Sequence, residues 1–141
     1  MDAERTSFHV GVNVFAVRDG RLLLGKRKNI YGAGTWGLPG GHLEPREGMQ
    51  EAAARELREE TGLIAERFEF AALVNDRHSD KNYLQVGFAT SGLSDGKPVL
   101  REPDLCEEWK WFPLDELPKE IFAAHRELIR LFREHSQFAD A

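Results

Sequence analysis

The chain contains one cysteine, Cys106, among 141 residues. An internal disulfide framework is thereby excluded, as is a zinc site made of cysteines alone. The scarcity fits a reducing compartment. Basic charge is short as well. Lys plus Arg number 19 against 24 Asp plus Glu, a net charge of −5 at pH 7. Binding duplex nucleic acid without regard to sequence needs a concentrated basic surface, so duplex nucleic acid is not an expected partner. Long apolar runs are missing too. Val10 to Val17 is interrupted by Asn13 and falls far short of the roughly 20 residues a spanning helix needs, so no membrane is expected as partner. Met1 to Arg5 lacks the basic-then-apolar order of a secretory signal. A cytoplasmic protein is the expectation. No fixed-period repeat and no low-complexity tract is visible.

What is present suits a folded core. Hydrophobic residues make up 41%, with nine Phe, three Trp and two Tyr. The length predicts a single domain over residues 1–141. Phe8 to Val17 alternates as a strand does, with Val10, Val12, Val14 and Ala16 on one face. Asp19-Gly20 reads as a hairpin turn, and Arg21 to Arg27 as a second strand buried on both faces through Leu22, Leu23 and Leu24. Asn29 to Thr35 reads as a loop, and Trp36 to Leu43 as an extended, glycine-rich segment. Gly48 to Thr61 is rich in good helix formers and ends at Gly62. Strands follow at Ile64 to Asn75, Tyr83 to Thr90 and Glu108 to Phe112, with a polar loop over Asp76 to Asn82 and a turn at Leu114 to Pro118. A second helix is predicted over Ile121 to His135 and a frayed tail over Ser136 to Ala141. This order predicts an α/β or α+β fold with a mixed sheet covered by helices.

The segment Gly41 to Leu63 carries the chemistry. Glu56, Glu59 and Glu60 stand at i, i+3 and i+4, on one face of the predicted helix. Like charges at these spacings weaken a helix by a few tenths of a kcal/mol per pair, roughly. A solvated face tolerates that cost; a hard divalent cation removes it. Clustered carboxylates suit Mg²⁺ or Mn²⁺, and Mg²⁺ commonly completes its shell with phosphate oxygens and waters.

On their own, three such glutamates are more often a solvated face, and the residues around them bear on the choice. From Gly41 the chain runs five residues to Glu47, then seven to Arg55-Glu56-Leu57. One residue later come Glu59-Glu60, and after one more Gly62-Leu63. Nine specified positions match the Nudix box without a gap, and the chain resembles the Nudix hydrolases, nearest to their nucleoside-triphosphate diphosphatase branch. The flanking Trp36-Gly37-Leu38-Pro39-Gly40-Gly41-His42-Leu43-Glu44 is similar to the approach to that box. The resemblance implies an αβα sandwich with a mixed central sheet. It implies that Glu56, Glu59 and Glu60, with the carbonyl of Gly40, hold Mg²⁺ or Mn²⁺, one of the carboxylates sometimes serving as base. It implies that Arg55 and Glu47 orient those carboxylates. Two neighbouring positions depart from the common pattern, Arg46 and Gly48, where many members carry Gly and Ser or Thr. Gly48 is a weaker helix cap than Ser, so a less firm helix start is expected.

The implied reaction is hydrolysis of a nucleoside diphosphate linked to another group. Arg27, within Lys26-Arg27-Lys28, suits phosphate binding or solvent equally. His42, beside the glycines, is a candidate phosphate contact, and His78 a weaker one. Glu107 and Glu108 lie where similar proteins place an acidic residue at the metal or at a base edge. Phe122 and His125 resemble the region that encloses the base, with a core role for Phe122 equally open. Trp36, Trp109 and Trp111 read mainly as packing, with stacking of one of them on a base left open. Gly25 to Lys28, the Gly32 to Trp36 loop and Glu107 with Trp109 to Trp111 are similar to the triphosphate-cleaving branch, so a small nucleotide substrate is expected. The product would be a nucleoside monophosphate plus pyrophosphate. ADP-ribose or a nucleotide sugar is the alternative, and a catalytically inactive nucleotide-binding module a third; such modules usually lose box carboxylates, and all are present here. Homodimers are common among similar proteins.

Overall fold

The computed structural model describes residues 6–77 and 80–141, so His78 lies outside the described residues. Strand β1 (His9–Phe15) turns Val12 and Val14, with Ala16 beyond it, toward one core and Phe15 toward another. The alternation is the two-residue period of the pleat. Asp19 and Gly20 both have positive φ, 52° and 74°. That is the geometry of a two-residue hairpin whose twist matches its strands. They join β2 (Val17–Arg18) to β3 (Arg21–Arg27). Leu22, Leu23 and Leu24 are fully buried, with Leu23 in one core and its neighbours in the other.

Two sheets result. In the first, β3 pairs antiparallel with β2, β4 (Trp36–Gly37) and β8 (Cys106–Pro113). The second has the order β5-β1-β7-β6-β9, comprising β5 (Gly40–His42), β7 (Tyr83–Leu93), β6 (Ala65–Asp76) and β9 (Phe138–Asp140) around β1. It is mixed: β1 with β7 and β6 with β9 run parallel, the other pairs antiparallel. Helix α1 (Met49–Thr61) buries Ala52, Ala53 and Leu57 against one face, together with Val12 and Val14. Helix α2 (Ala123–Arg133) buries Leu128, Ile129 and Leu131 against the other, with Phe15, Leu22 and Leu24. The fold is the expected α+β sandwich.

Four elements differ from the sequence reading. The tail is a strand: β9 pairs with β6 from Leu73↔Phe138 to Asn75↔Asp140, and Ala141 N–H donates to Asn75 O at 3.0 Å. His135, at φ 56°, turns the chain back after α2. Edge pairing satisfies backbone groups and needs no side-chain pattern, which is why composition hid it. Helix α2 starts at Ala123, because Trp36 N–H donates to Glu120 O and Phe122 N–H to Trp36 O, holding Ile121 extended. Finally, β7 and β8 extend beyond the apolar runs that suggested them.

Candidate active site

Helix α1 starts at Gly48 without a side-chain cap and stops where Gly62, at φ 76°, donates its N–H to Arg58 O. Leu57 and Thr61 face the core, which leaves Glu56 and Glu60 directed along the helix flank toward β5. A Cβ on Gly41 would lie 2.4 Å from Glu56 Oε1, so only glycine lets this strand meet the carboxylate. Gly40 N–H donates to Glu60 Oε2 at 3.1 Å. Trp109 Nε1–H reaches in from β8 to Glu60 O at 3.2 Å. Glu60 is mostly buried and shares a hydrogen bond with Glu56; burial first, then Glu56 and Glu102, push its carboxyl up to about 10. Two carboxylates this close hold a proton between them unless a cation replaces it.

Arg55 organises the rest. Its Nε and Nη2 form a fork on Glu47, at 2.6 and 3.0 Å. Its Nη1 donates to Glu56 Oε1 at 2.8 Å and to Glu59 Oε2 at 3.4 Å, and Nη2 also to His42 O at 3.3 Å. The guanidinium holds Glu47 below its usual range, while the Glu47 contact chiefly raises Arg55 itself. One planar fork therefore ties the loop, the helix and β5 together.

Gly40, Glu56 and Glu60 line a cleft of about 140 Å³ that also takes in Gly25, Arg27, Ile30, Leu105, Cys106 and Trp109. Arg27 stands 3.8 Å over the Phe122 ring and donates through Nε to Tyr31 O at 3.0 Å. Burial lowers its pKa, and the charge of Glu60 opposes that. Gly32, at φ 82°, passes so close that a Cβ would meet Phe122 at 2.6 Å. Phe122 is 8% exposed, so it supports Arg27 from beneath. Burial pushes the Cys106 thiol up to about 11, which keeps it protonated.

Of the residues singled out from sequence, the cleft gathers Gly40, Glu56, Glu60 and Arg27. Glu59 lies on the exposed rim, and Glu47 and Arg55 stand behind. His42 lies apart: its Nε2 is 2.6 Å from Tyr83 Oη, and its ring stacks on Tyr83. Gly41 faces α1, so the pleat sends His42 to the opposite face of the sheet. Glu107 pairs loosely with Lys26 at 3.9 Å and does not line the cleft. Glu102 does line it, and Glu56 and Glu59 raise its carboxyl after burial. Sequence reading passed over Glu102 because it lies in an irregular segment with no periodicity. The only signal was its place in an acidic run with Asp104, Glu107 and Glu108.

The carboxylates of Glu56, Glu60 and Glu102 are the acidic groups that line the cleft, with Glu59 on its rim. Among the described residues no three acidic, His or Cys side chains already close into a cage. Arg55 engages Glu56 and Glu59, and Gly40 engages Glu60.

Comparison with known proteins agrees with this geometry. The NUDIX domain family matches residues 7–132. A MutT Nudix hydrolase from Burkholderia pseudomallei superposes with a TM-score of 0.80 at 36% identity, over 88% of this chain and 97% of that one. An ADP-ribose pyrophosphatase of Methanocaldococcus jannaschii is 32% identical over 86% of this chain and 70% of its own. An oxidized purine nucleoside triphosphate hydrolase of Danio rerio is 32% identical over 74% of this chain and 66% of its own. Members of this family generally use divalent metal ions. The carboxylate helix, the glycine strand laid against it and the match across nearly the whole chain place this protein in the Nudix family, as a Nudix hydrolase.

Proposed function

We propose that the protein is a Mg²⁺- or Mn²⁺-dependent pyrophosphohydrolase that splits a nucleoside triphosphate into monophosphate and pyrophosphate. The observation that carries this reading is the composition of one cleft, where the carboxylates of Glu56, Glu60 and Glu102 share the lining with Arg27, Ile30, Leu105 and Trp109. A nucleotide offers the matching groups, a polyphosphate for metal-holding carboxylates and a base for cationic and apolar side chains.

The residues fit a hard divalent cation. The donors are all oxygen, the choice such ions prefer, and the Glu56–Glu60 pair holds a proton where positive charge is wanted. Glu56, Glu59, Glu60 and the Gly40 carbonyl would hold the ion. When bound, it would neutralise phosphate oxygens and lower the pKa of a water. Arg55 keeps Glu56 and Glu59 aimed, because its fork is fixed by Glu47. Arg27, with its charge held against Phe122, takes a phosphate oxygen or the edge of the base. Trp109 and Ile30 offer apolar surface to the base. Water attacks phosphorus in line, its proton passes to a box carboxylate, and the anhydride oxygen leaves with pyrophosphate. Positioning and charge carry most of such a reaction.

A cleft of about 140 Å³ is below the roughly 300–1,000 Å³ of sites that enclose a drug-sized ligand. One base and its phosphates suit it better than a dinucleotide enclosed at both ends. ADP-ribose is the second reading, favoured by the name of the archaeal relative. Comparing kcat/KM for nucleoside triphosphates and ADP-ribose with Mg²⁺ or Mn²⁺ tests the choice. Preference for a triphosphate with release of pyrophosphate is expected; preference for ADP-ribose would replace the first reading with the second.

A further inference from the structure

His125 stands in the first turn of α2 and is 5% exposed, on the far side of the sandwich from the carboxylate helix. Its Nδ1 accepts the Leu38 N–H at 3.0 Å. That bond closes a short path to the site. Trp36 is already tied to the entry of α2 on both of its backbone groups, to Glu120 O at 2.7 Å and from Phe122 N–H at 2.8 Å. Leu38 comes next along this stretch, then the buried Pro39, whose carbonyl accepts Val14 N–H at 2.9 Å. Gly40 follows, with its N–H on Glu60. Backbone groups of Trp36, Leu38, Pro39 and Gly40 are thus pinned, and His125 and Glu60 supply the side chains in the series.

We propose that His125 is a positioning residue, whose Nδ1 fixes Leu38 and so sets the distance between Gly40 and Glu60.

The role needs an acceptor. An imidazole accepting at Nδ1 carries its proton on Nε2, and a second proton would remove the acceptor. Burial, with the Arg27 charge nearby, pushes His125 down to about 3, so the acceptor persists over the working pH range. Of the other titratable groups on α2, Arg126, Glu127, Arg130 and Arg133, the middle two are engaged with each other. Close packing explains why the contact is specific: a Cβ on Gly37 would meet Nδ1 at 3.0 Å, so glycine lets the strand come within bonding range. Phe122 stands edge-on to the imidazole at 4.9 Å and carries Arg27 on its own ring. One helix start therefore supports both Arg27 and Leu38 in the cleft wall.

The inference rests on the proposed metal-assisted reading of the site, and its test includes readouts that need no nucleotide. His125→Asn keeps a short acceptor; His125→Phe keeps the bulk and removes it. Variants are compared by Mn²⁺ affinity, by the amide NMR shifts of Leu38 and Gly40, and by kcat and KM with dGTP and ADP-ribose as probes. In His125→Phe we expect both amide signals to move, Mn²⁺ affinity and kcat to fall by about 10–100-fold, and KM to change little. His125→Asn should recover most of each. Equal behaviour of the two variants, or a change confined to KM, would overturn the role. Should His125→Phe not fold, the ¹⁵N shift of Nδ1 in the unaltered protein decides the matter. An unprotonated, hydrogen-bonded nitrogen from pH 5 to 9 supports the role, and a protonated one overturns it. Lack of turnover on both probes with the amide and Mn²⁺ effects intact would count against the substrate reading alone.

Discussion

Two arginines in this molecule sit on helices among glutamates and do different things. Arg130, on α2, pairs with Glu127 at i−3 and Glu134 at i+4, all on an exposed surface. Arg55, on α1, has Glu59 at i+4 and Glu56 beside it, but its strongest contact is the fork on Glu47, eight residues away in the preceding loop. The Arg55 side chain is 19% exposed and that of Arg130 49%. Exposed pairs are screened and contribute little. A partly buried fork that spans loop and helix fixes geometry. Ion pairs are alike on paper, and long-range connection with burial separates an organising group from a decorative one.

Glu60→Gln has the largest expected effect, because it removes the carboxyl that shares a hydrogen bond with Glu56, which Arg55 holds. Turnover should fall by several orders of magnitude, about 10³-fold or more, as for loss of a group that stabilises charge in the transition state. The same variant has a second signature. Glu60 is raised from 4.5 to about 10 in the folded, metal-free protein. A raised carboxyl favours folding below its unfolded value and loses that advantage as pH climbs through the folded one. Tm of the metal-free protein should therefore decline between about pH 5 and pH 10, and Glu60→Gln, which mimics the neutral acid, should flatten the decline. Because the ion displaces the shared proton, metal affinity should rise over the same pH interval. A Tm profile unchanged by the substitution would remove Glu60 from the buried pair.

Arg55→Ala comes next. With Glu56 and Glu59 released, kcat should fall by about 10–100-fold, with KM nearly unchanged, the behaviour of a group that orients ligands. Arg55→Lys should recover little, because an ammonium cannot make the fork. Full recovery by Lys would show that charge alone matters. Glu102→Gln should weaken Mn²⁺ binding by about tenfold or less, since it faces the carboxylates from across the cleft; unaltered affinity would return it to the cleft wall. Arg130→Ala is the control and the smallest effect. Activity should stay within about twofold of the unaltered protein and Tm should barely move, as expected for surface pairs. A large loss of activity there would erase the distinction between the two arginines.

How much of this was legible in the sequence follows from the range of the forces involved. The helix Met49–Thr61, the Asp19–Gly20 turn and the Leu22–Leu24 strand are written in local periodicity and turn chemistry, and all three appear in place. The spacing of the nine box positions singles out Arg55 and Glu47 together, and the two meet in the fork. Glu102 and Leu38–His125 were hidden because each depends on segments dozens of residues apart meeting across the sandwich. His42 shows the limit of adjacency. It neighbours Gly41 in sequence, yet strand alternation turns its ring to Tyr83. Tail strand β9 shows another limit, since backbone pairing at a sheet edge leaves no mark in composition.

Action of Glu60 and its partners on a polyphosphate would be written in the products. Incubation of a nucleoside triphosphate with Mg²⁺ or Mn²⁺ in ¹⁸O-water, followed by ³¹P NMR, reads which bond breaks and where the oxygen enters. Monophosphate and pyrophosphate are expected in equal amounts, with one ¹⁸O in one of them, and no reaction after chelation or in Glu60→Gln. Release of inorganic phosphate with a nucleoside diphosphate, or equal turnover in Glu60→Gln, would contradict that action.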